Sequence, residues 1–235
     1  MVDEPFPLPD NATPHPAIAY DAGVRRTIPY YDAIHEEVLS FIEALPERPR
    51  AWLDTGCGTG ALVARALPRF PETRFVVADP SPAMLAVARQ RLADPRVTVL
   101  PPCGTSDLPP GRFDVVTAVQ CHHYLDRRGR CAAVAVCFDR LRPGGIFVTS
   151  ENVRPLSRTG LDLGLRYWAR FQERAGKNPP EVAAQLARFD REYLPITLEE
   201  HLRLYREAGF VAVEVLWYSY LQAAFYAVKG DACPE

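Results

Sequence analysis

The stretch Asp54-Thr55-Gly56-Cys57-Gly58-Thr59-Gly60 constrains this chain more than any other. A short apolar run, Ala51-Trp52-Leu53, leads into it and reads as a buried strand ending at Asp54. Ala61 to Leu67 follows, stopped by Pro68, and reads as a short helix. A glycine-rich turn between strand and helix lets backbone approach a ligand closely, because no Cβ stands in the way. It also aims the positive end of the helix at that ligand. The spacing of Gly56, Gly58 and Ala61 loosely fits a dinucleotide turn. Asp54 argues against that ligand, since a pyrophosphate beside it would place two anions together. A ligand bearing positive charge suits the turn better.

The remaining chain reads as repeated strand–helix units. The apolar positions Tyr31, Ile34, Val38, Phe41, Ile42 and Leu45 predict a helix ahead of the first strand, ending at Pro46. Arg74–Ala78 predicts a second strand ending at Asp79; Ser81 is a good N-cap, and Pro82 suits the first helical position. A carboxylate at Asp79 can accept hydrogen bonds from both hydroxyls of a ribose. Its replacement by Ala should then weaken binding by about 1.5–3 kcal/mol and hardly move the melting temperature, if the side chain faces solvent. Arg96–Leu100 is a third strand, followed by Pro101-Pro102-Cys103-Gly104, where backbone groups can meet a base. Phe113–Val119 is the fourth, and it leads into Gln120-Cys121-His122-His123-Tyr124. Val119 and Gln120 therefore belong beside a ligand, at the carboxyl end of a parallel strand. His122, His123 and Glu151 are the candidate general bases.

A helix with Cys131, Val134, Ala135 and Phe138 on its apolar face ends near Pro143-Gly144-Gly145, and Ile146–Ser150 is the fifth strand. Residues 152–196 are too long for a plain connection and read as a helical insertion in two pieces, split at Lys177-Asn178-Pro179-Pro180. That insertion reads as a lid or wall of an acceptor pocket and as a dimer contact. Thr197-Leu198-Glu199-Glu200 is a capping box for the last helix. Two strands, Phe210–Trp217 and Tyr220–Val228, close the chain around a turn at Tyr218-Ser219. Residues 1–24, with five prolines from Pro5 to Pro16, read as an extended arm, and 25–235 as one domain.

Bulk properties narrow the function classes. Half the residues being hydrophobic and a quarter charged describes a globular chain. A net charge of −2 and only two lysines, Lys177 and Lys229, give no basic patch for a nucleic acid. No apolar run is long enough to span a membrane, and no secretory signal is evident at the N-terminus. Six cysteines without a C-x-x-C pair suggest reduced thiols in a cytoplasmic protein and no metal.

The acid-then-glycine motif resembles the first motif of class I S-adenosylmethionine-dependent methyltransferases. From Arg25 onward the chain is similar to one branch of them, the carboxy-S-adenosylmethionine synthase-like group. The similarity is carried by Arg25 to Tyr31, by Asp79-Pro80-Ser81-Pro82-Ala83-Met84, by Pro143-Gly144-Gly145 through Glu151, and by Ala208-Gly209-Phe210. The resemblance implies a Rossmann-like α/β fold with a seven-stranded, mostly parallel sheet and a C-terminal antiparallel hairpin. It implies S-adenosylmethionine as cofactor, held by Tyr31, Asp54, Gly56, Cys57, Gly58, Gly60, Asp79, Pro80, Met84, Cys103, Gly104, Val119 and Gln120. Cys103 stands where many relatives carry an acid for adenine, and the group's carboxylate-binding arginine would fall near Gln185 to Arg188. The expected activity is methyl transfer to a small molecule, by a cytoplasmic enzyme that is a candidate homodimer. The alternatives are cyclisation of S-adenosylmethionine to azetidine-2-carboxylate with release of methylthioadenosine, carboxy-S-adenosylmethionine synthesis, and cofactor binding without catalysis.

Overall fold

A computed structural model describes residues 10–231. Fifteen strands and α-helices follow one another among the described residues. They are α1 (Tyr20–Arg25), α2 (Tyr31–Glu43), β1 (Ala51–Thr55), α3 (Ala61–Ala66), β2 (Arg74–Ala78), α4 (Pro82–Arg91), β3 (Val97–Val99) and β4 (Phe113–Val119), followed by α5 (Arg127–Arg140), β5 (Leu141–Asn152), α6 (Arg158–Arg174), α7 (Pro179–Leu186), α8 (Leu198–Glu207), β6 (Ala212–Ser219) and β7 (Gln222–Val228). The strands form one sheet in the order β3-β2-β1-β4-β5-β7-β6. Strands β1 to β5 pair in parallel, and β7 pairs antiparallel with both β5 and β6. This is the Rossmann-like sheet of the methyltransferase fold, with its terminal hairpin.

Every residue of β1 is buried, which explains why the strand is apolar without alternation. One core face packs α2, α3 and α4 on the sheet through Val38, Leu62 and Ala88. The other packs α5 and α8 through Val134 and Tyr205. Chain order reverses between β1 and β4, so their carboxyl ends open a crevice there. Ser81 caps α4, accepting from Met84 N at 3.1 Å, and the Thr197/Glu200 capping box opens α8.

Several expectations shift. Residues 10–24, expected as an extended arm, fold as a 3-10 turn over Ala17–Ala19 and helix α1. Val24 is buried there, and Ser81 Oγ donates to the Asp10 carbonyl at 2.8 Å, so the segment straps over the crevice. Pro5, Pro7, Pro9 and Cys233 lie outside the described residues. On α5 the buried positions are Arg130, Ala133, Val134 and Cys137, while Cys131 is exposed. Arg130 turns the helix this way by donating to the carbonyls of His122, Leu125 and Leu194.

The final hairpin turns at Tyr220-Leu221 instead of Tyr218-Ser219, because Ser219 still pairs with Gln222 and Tyr220 takes φ +54°. Within the insertion, Phe189 and Tyr193 lie past α7 in a turn through Asp190 at φ +64°. The two ends of the insertion meet where Val153 bridges Ile196. Among the described residues no helix is long and apolar enough to cross a membrane.

Candidate functional site

The turn after β1 adopts the left-handed backbone that its glycines permit: φ is +64° at Gly56, +54° at Gly58 and +75° at Gly60. A Cβ on Gly56 would lie 2.5 Å from Cys121 Cβ, so that glycine lets the β1 and β4 loops touch. Gly58 has nothing within 4 Å of a built Cβ, leaving its backbone open to the crevice. Gly60 faces Leu92, the C-cap of α4, and Ala88 within it, and packs the helix instead of lining the site.

Two carboxylates frame the opening. Asp54 is buried and accepts from Thr117 Oγ at 2.6 Å; that hydroxyl accepts from the Trp52 indole N–H at 2.9 Å. Burial pushes the Asp54 carboxyl up to about 7; the Thr117 bond opposes this and the charge of Asp79 adds to it. Asp79 accepts from Gly58 N at 2.9 Å and Ser81 N at 2.8 Å, and burial raises its pKa against those two bonds. Asp79 therefore fastens the glycine turn to the start of α4.

An outer cavity of about 270 Å³ lies over these groups. Tyr31, Asp54, Gly56, Cys57, Gly58 and Asp79 line it, as expected from sequence. So do Pro80, Met84, Gly104, Val119, Gln120 and His122. Cys103 does not; its N–H donates to the Asp79 carbonyl at 3.2 Å, and Gly104 and Thr105 take the lining position. No Arg or Lys belongs to the lining. His35, pushed down to about 4 by burial, and His122, also lowered by burial, are neutral there. The cavity is thus acidic, which suits a cation.

A second, inner chamber of about 20 Å³ adjoins it. Thr13, Tyr20, Gln120 and Tyr124 line both spaces and form the wall between them. His123 lines only the inner chamber. Glu151 lines neither; it is fully buried beneath and accepts from His122 N, His123 N, His123 Nδ1 and Thr149 Oγ. Burial would raise the Glu151 carboxyl, but the His123 bond and nearby histidines bring it down to about 2. An ionised carboxylate only accepts, so Nδ1 of His123 donates in this bond and Nε2 is the other ring nitrogen, left for a ligand. His122 Nε2 instead contacts Thr105 Oγ at 3.0 Å and serves structure. Cys121, His122 and Glu151 bring potential ligand atoms within 4.8 Å, but those atoms are engaged with Thr55, Thr105 and the histidines.

Sequence reasoning missed Asn11, Thr13, Tyr20 and Tyr124 as lining residues. For the first three, the prolines of the N-terminal segment hid a strap whose position depends on long-range contacts. Its one local signal was Asp10, whose carboxylate accepts from Ala17 N at 3.2 Å. The acidic lining and the open face at Gly58 suit a cationic ligand such as S-adenosylmethionine.

The "Methyltransferase domain" family matches residues 53–147 of this chain. Two curated relatives are each named carboxy-S-adenosyl-L-methionine synthase. The one from Wolinella succinogenes is 29% identical over 225 residues, covering 91% of this chain and 90% of the relative. The one from Chromohalobacter salexigens is 26% identical, covering 89% and 79%. Among solved structures, human N-acetylserotonin methyltransferase in complex with S-adenosylmethionine superposes with a TM-score of 0.55 at 16% identity. That likeness covers 91% of this chain and 53% of the human one, and it concerns the fold.

Proposed function

We propose that this chain, similar to the "Methyltransferase domain" family over residues 53–147, is a class I S-adenosylmethionine-dependent methyltransferase that transfers the methyl group to a small neutral acceptor, with His123 as base. The observation that carries this reading is the His123–Glu151 pair, bonded at 2.9 Å, beside a chamber that opens on an acid-lined cavity. Bound S-adenosylmethionine supplies an electrophilic carbon on a sulfonium, whose carbon–sulfur bond breaks with its electron pair left on sulfur. Asp54 and Asp79 hold the cationic ligand, the strap excludes water, and His123 Nε2 takes the proton that the nucleophile sheds. A pair of this kind also argues against a purely binding role.

One observation favours a second reading. The inner chamber has room for about one water-sized group. That supports a reaction in which the amine of S-adenosylmethionine itself enters, giving azetidine-2-carboxylate and methylthioadenosine. Carboxy-S-adenosylmethionine synthesis is supported by the names of the relatives, but among the described residues no Arg or Lys lines either space for an anionic co-substrate, and Lys177 reaches the inner chamber only through Thr27.

Mass spectrometry of enzyme with S-adenosylmethionine alone, then with small amines, alcohols or prephenate, separates these readings. S-adenosylhomocysteine appearing only with an acceptor supports methyl transfer. Methylthioadenosine with no acceptor supports cyclisation, and a carboxylated product only with prephenate supports synthesis. Cofactor that binds firmly and survives every mixture removes the enzymatic reading. His123→Ala should cost roughly 10²–10⁴ in turnover with S-adenosylmethionine affinity nearly unchanged; a full-rate variant would remove His123 as base.

A further inference from the structure

Gln120 is the residue whose chemistry the site has not yet used. It follows β4 at the carboxyl edge of the sheet, and it is 7% exposed. Its φ is +56°, a left-handed backbone that a side chain rarely adopts. Two contacts hold it there: its N–H donates to the Ser150 carbonyl at 2.6 Å, and its Nε2 donates to Ser150 Oγ at 3.0 Å. The remaining amide atom, Oε1, is buried with no hydrogen-bond partner among the described residues. A buried carbonyl oxygen without a partner is costly, and one at a cavity wall is explained by a ligand donor that completes it. Gln120 belongs to both the outer cavity and the inner chamber, so a ligand group passing between them meets this residue.

The surroundings define that donor. No Arg or Lys lines either space, and Asp54 and Asp79 lie on the outer side. His15, on the inner side, is pushed down to about 4 by burial and by the charges of Lys177, Arg188 and Arg26, and is neutral. Tyr20 and Tyr124 in the dividing wall are neutral phenols, their pKa values raised well above normal by burial. The cations Lys177, Arg188 and Arg26 stand behind His15 and do not line the wall, whose own surface offers an amine acceptor oxygens and aromatic faces.

We propose that Gln120 Oε1 accepts a hydrogen from an amine at the gate of the inner chamber and thereby selects an amine there over a carboxylate or a ketone. The proposal rests on S-adenosylmethionine use as read above. The amine has two possible sources: the α-amino group of S-adenosylmethionine, or a separate small amine.

The test uses the full chain, with calorimetry against S-adenosylmethionine and against its 2-oxo acid analogue, in which a keto group replaces the amine. Wild type should prefer S-adenosylmethionine by at least tenfold, and Gln120→Leu should bring that ratio near one. Gln120→Glu, which keeps the length and offers only acceptor oxygens, should hold or enlarge the ratio; it also carries the test should the leucine variant melt early. If the wild-type ratio is already near one, the separate amine is the source. Then kcat/KM for added small amines should fall at least tenfold in Gln120→Leu, with the KM for S-adenosylmethionine unmoved.

A ratio and an amine turnover both unchanged by leucine overturn the proposal. So does a Gln120→Glu variant as impaired as the leucine one, because the amide would then act as a donor. Wild type that binds no S-adenosylmethionine overturns the functional reading as well, whereas wild type that binds and consumes it with Gln120 indifferent overturns this inference alone.

Discussion

At the scale of single residues, Asp54 gives the site a pH dependence whose sign is set by burial. Its folded pKa of about 7 lies above the ordinary 3.8, so the folded chain keeps a proton that the unfolded chain releases. The ligand-free protein therefore has its full Asp54 contribution below pH 4 and loses it as pH rises through 7. Binding of a cation runs the other way, because the ionised carboxylate attracts it. Affinity for S-adenosylmethionine should weaken by roughly tenfold per pH unit below 7 and level off above it. Titration calorimetry between pH 5.5 and 8 checks this, and a flat profile would mean that Asp54 does not face the cation.

Asp79 fastens the glycine turn in the structure and is proposed to hold the ligand as well. Asp79→Ala should still weaken binding by about 1.5–3 kcal/mol. It should also lower the melting temperature of the ligand-free protein, contrary to the solvent-facing expectation, since the N–H groups of Gly58 and Ser81 lose their acceptor. A melting curve that coincides with wild type would show the turn holding without it. The motif at 54–60 and Asp79 were legible because their chemistry is local to one turn. Cys103 and Gly60 were expected as ligand contacts from the resemblance, yet one bonds through its backbone to Asp79 and the other packs on Leu92.

At the scale of elements, the helical insertion is joined by Trp168 to the turn that follows the strap. This side chain on α6 is almost fully buried, and its indole N–H donates to the Thr27 carbonyl at 2.6 Å. Trp168→Phe keeps most of the packing but leaves that carbonyl unpaired, so it should cost about 1–3 kcal/mol in urea unfolding. A loss within a few tenths of a kcal/mol would mean that the contact is replaced by water. The strap has further ties: Asp21 accepts from Thr59 and Arg91, and Arg188 donates to the Ala12 carbonyl. Its residues Thr13 and Tyr20 line both spaces, so the insertion supports the wall from behind while the strap supplies part of its surface.

At the scale of the whole molecule, a ligand enclosed by the sheet edge and the strap should stabilise both together. At a concentration one hundred times its dissociation constant, S-adenosylmethionine should add about 2.7 kcal/mol, a melting shift of roughly 5–10 °C for a chain of this size. Differential scanning fluorimetry reads this directly, and NAD at the same excess should leave the curve in place. A shift with NAD and none with S-adenosylmethionine would contradict the acidic lining as the determinant of cofactor choice.

The amino-acid sequence by itself determined the strand–helix alternation, the glycine turn, the two carboxylates at strand ends and the preference for a cation over a pyrophosphate. These follow from periodicity, turn chemistry and charge, which act over a few residues. The tertiary structure alone decided that residues 10–25 close over the crevice, that His123 and not His122 faces the inner chamber, and that Glu151 works from beneath it. It also decided that Gln120 is left with an unpartnered oxygen. Each of those outcomes depends on groups distant in the chain, as when Glu151 meets His123 or Arg188 meets Ala12. Burial and pairing across such separations have no local signature, because they exist only once the sheet has brought the strand ends together.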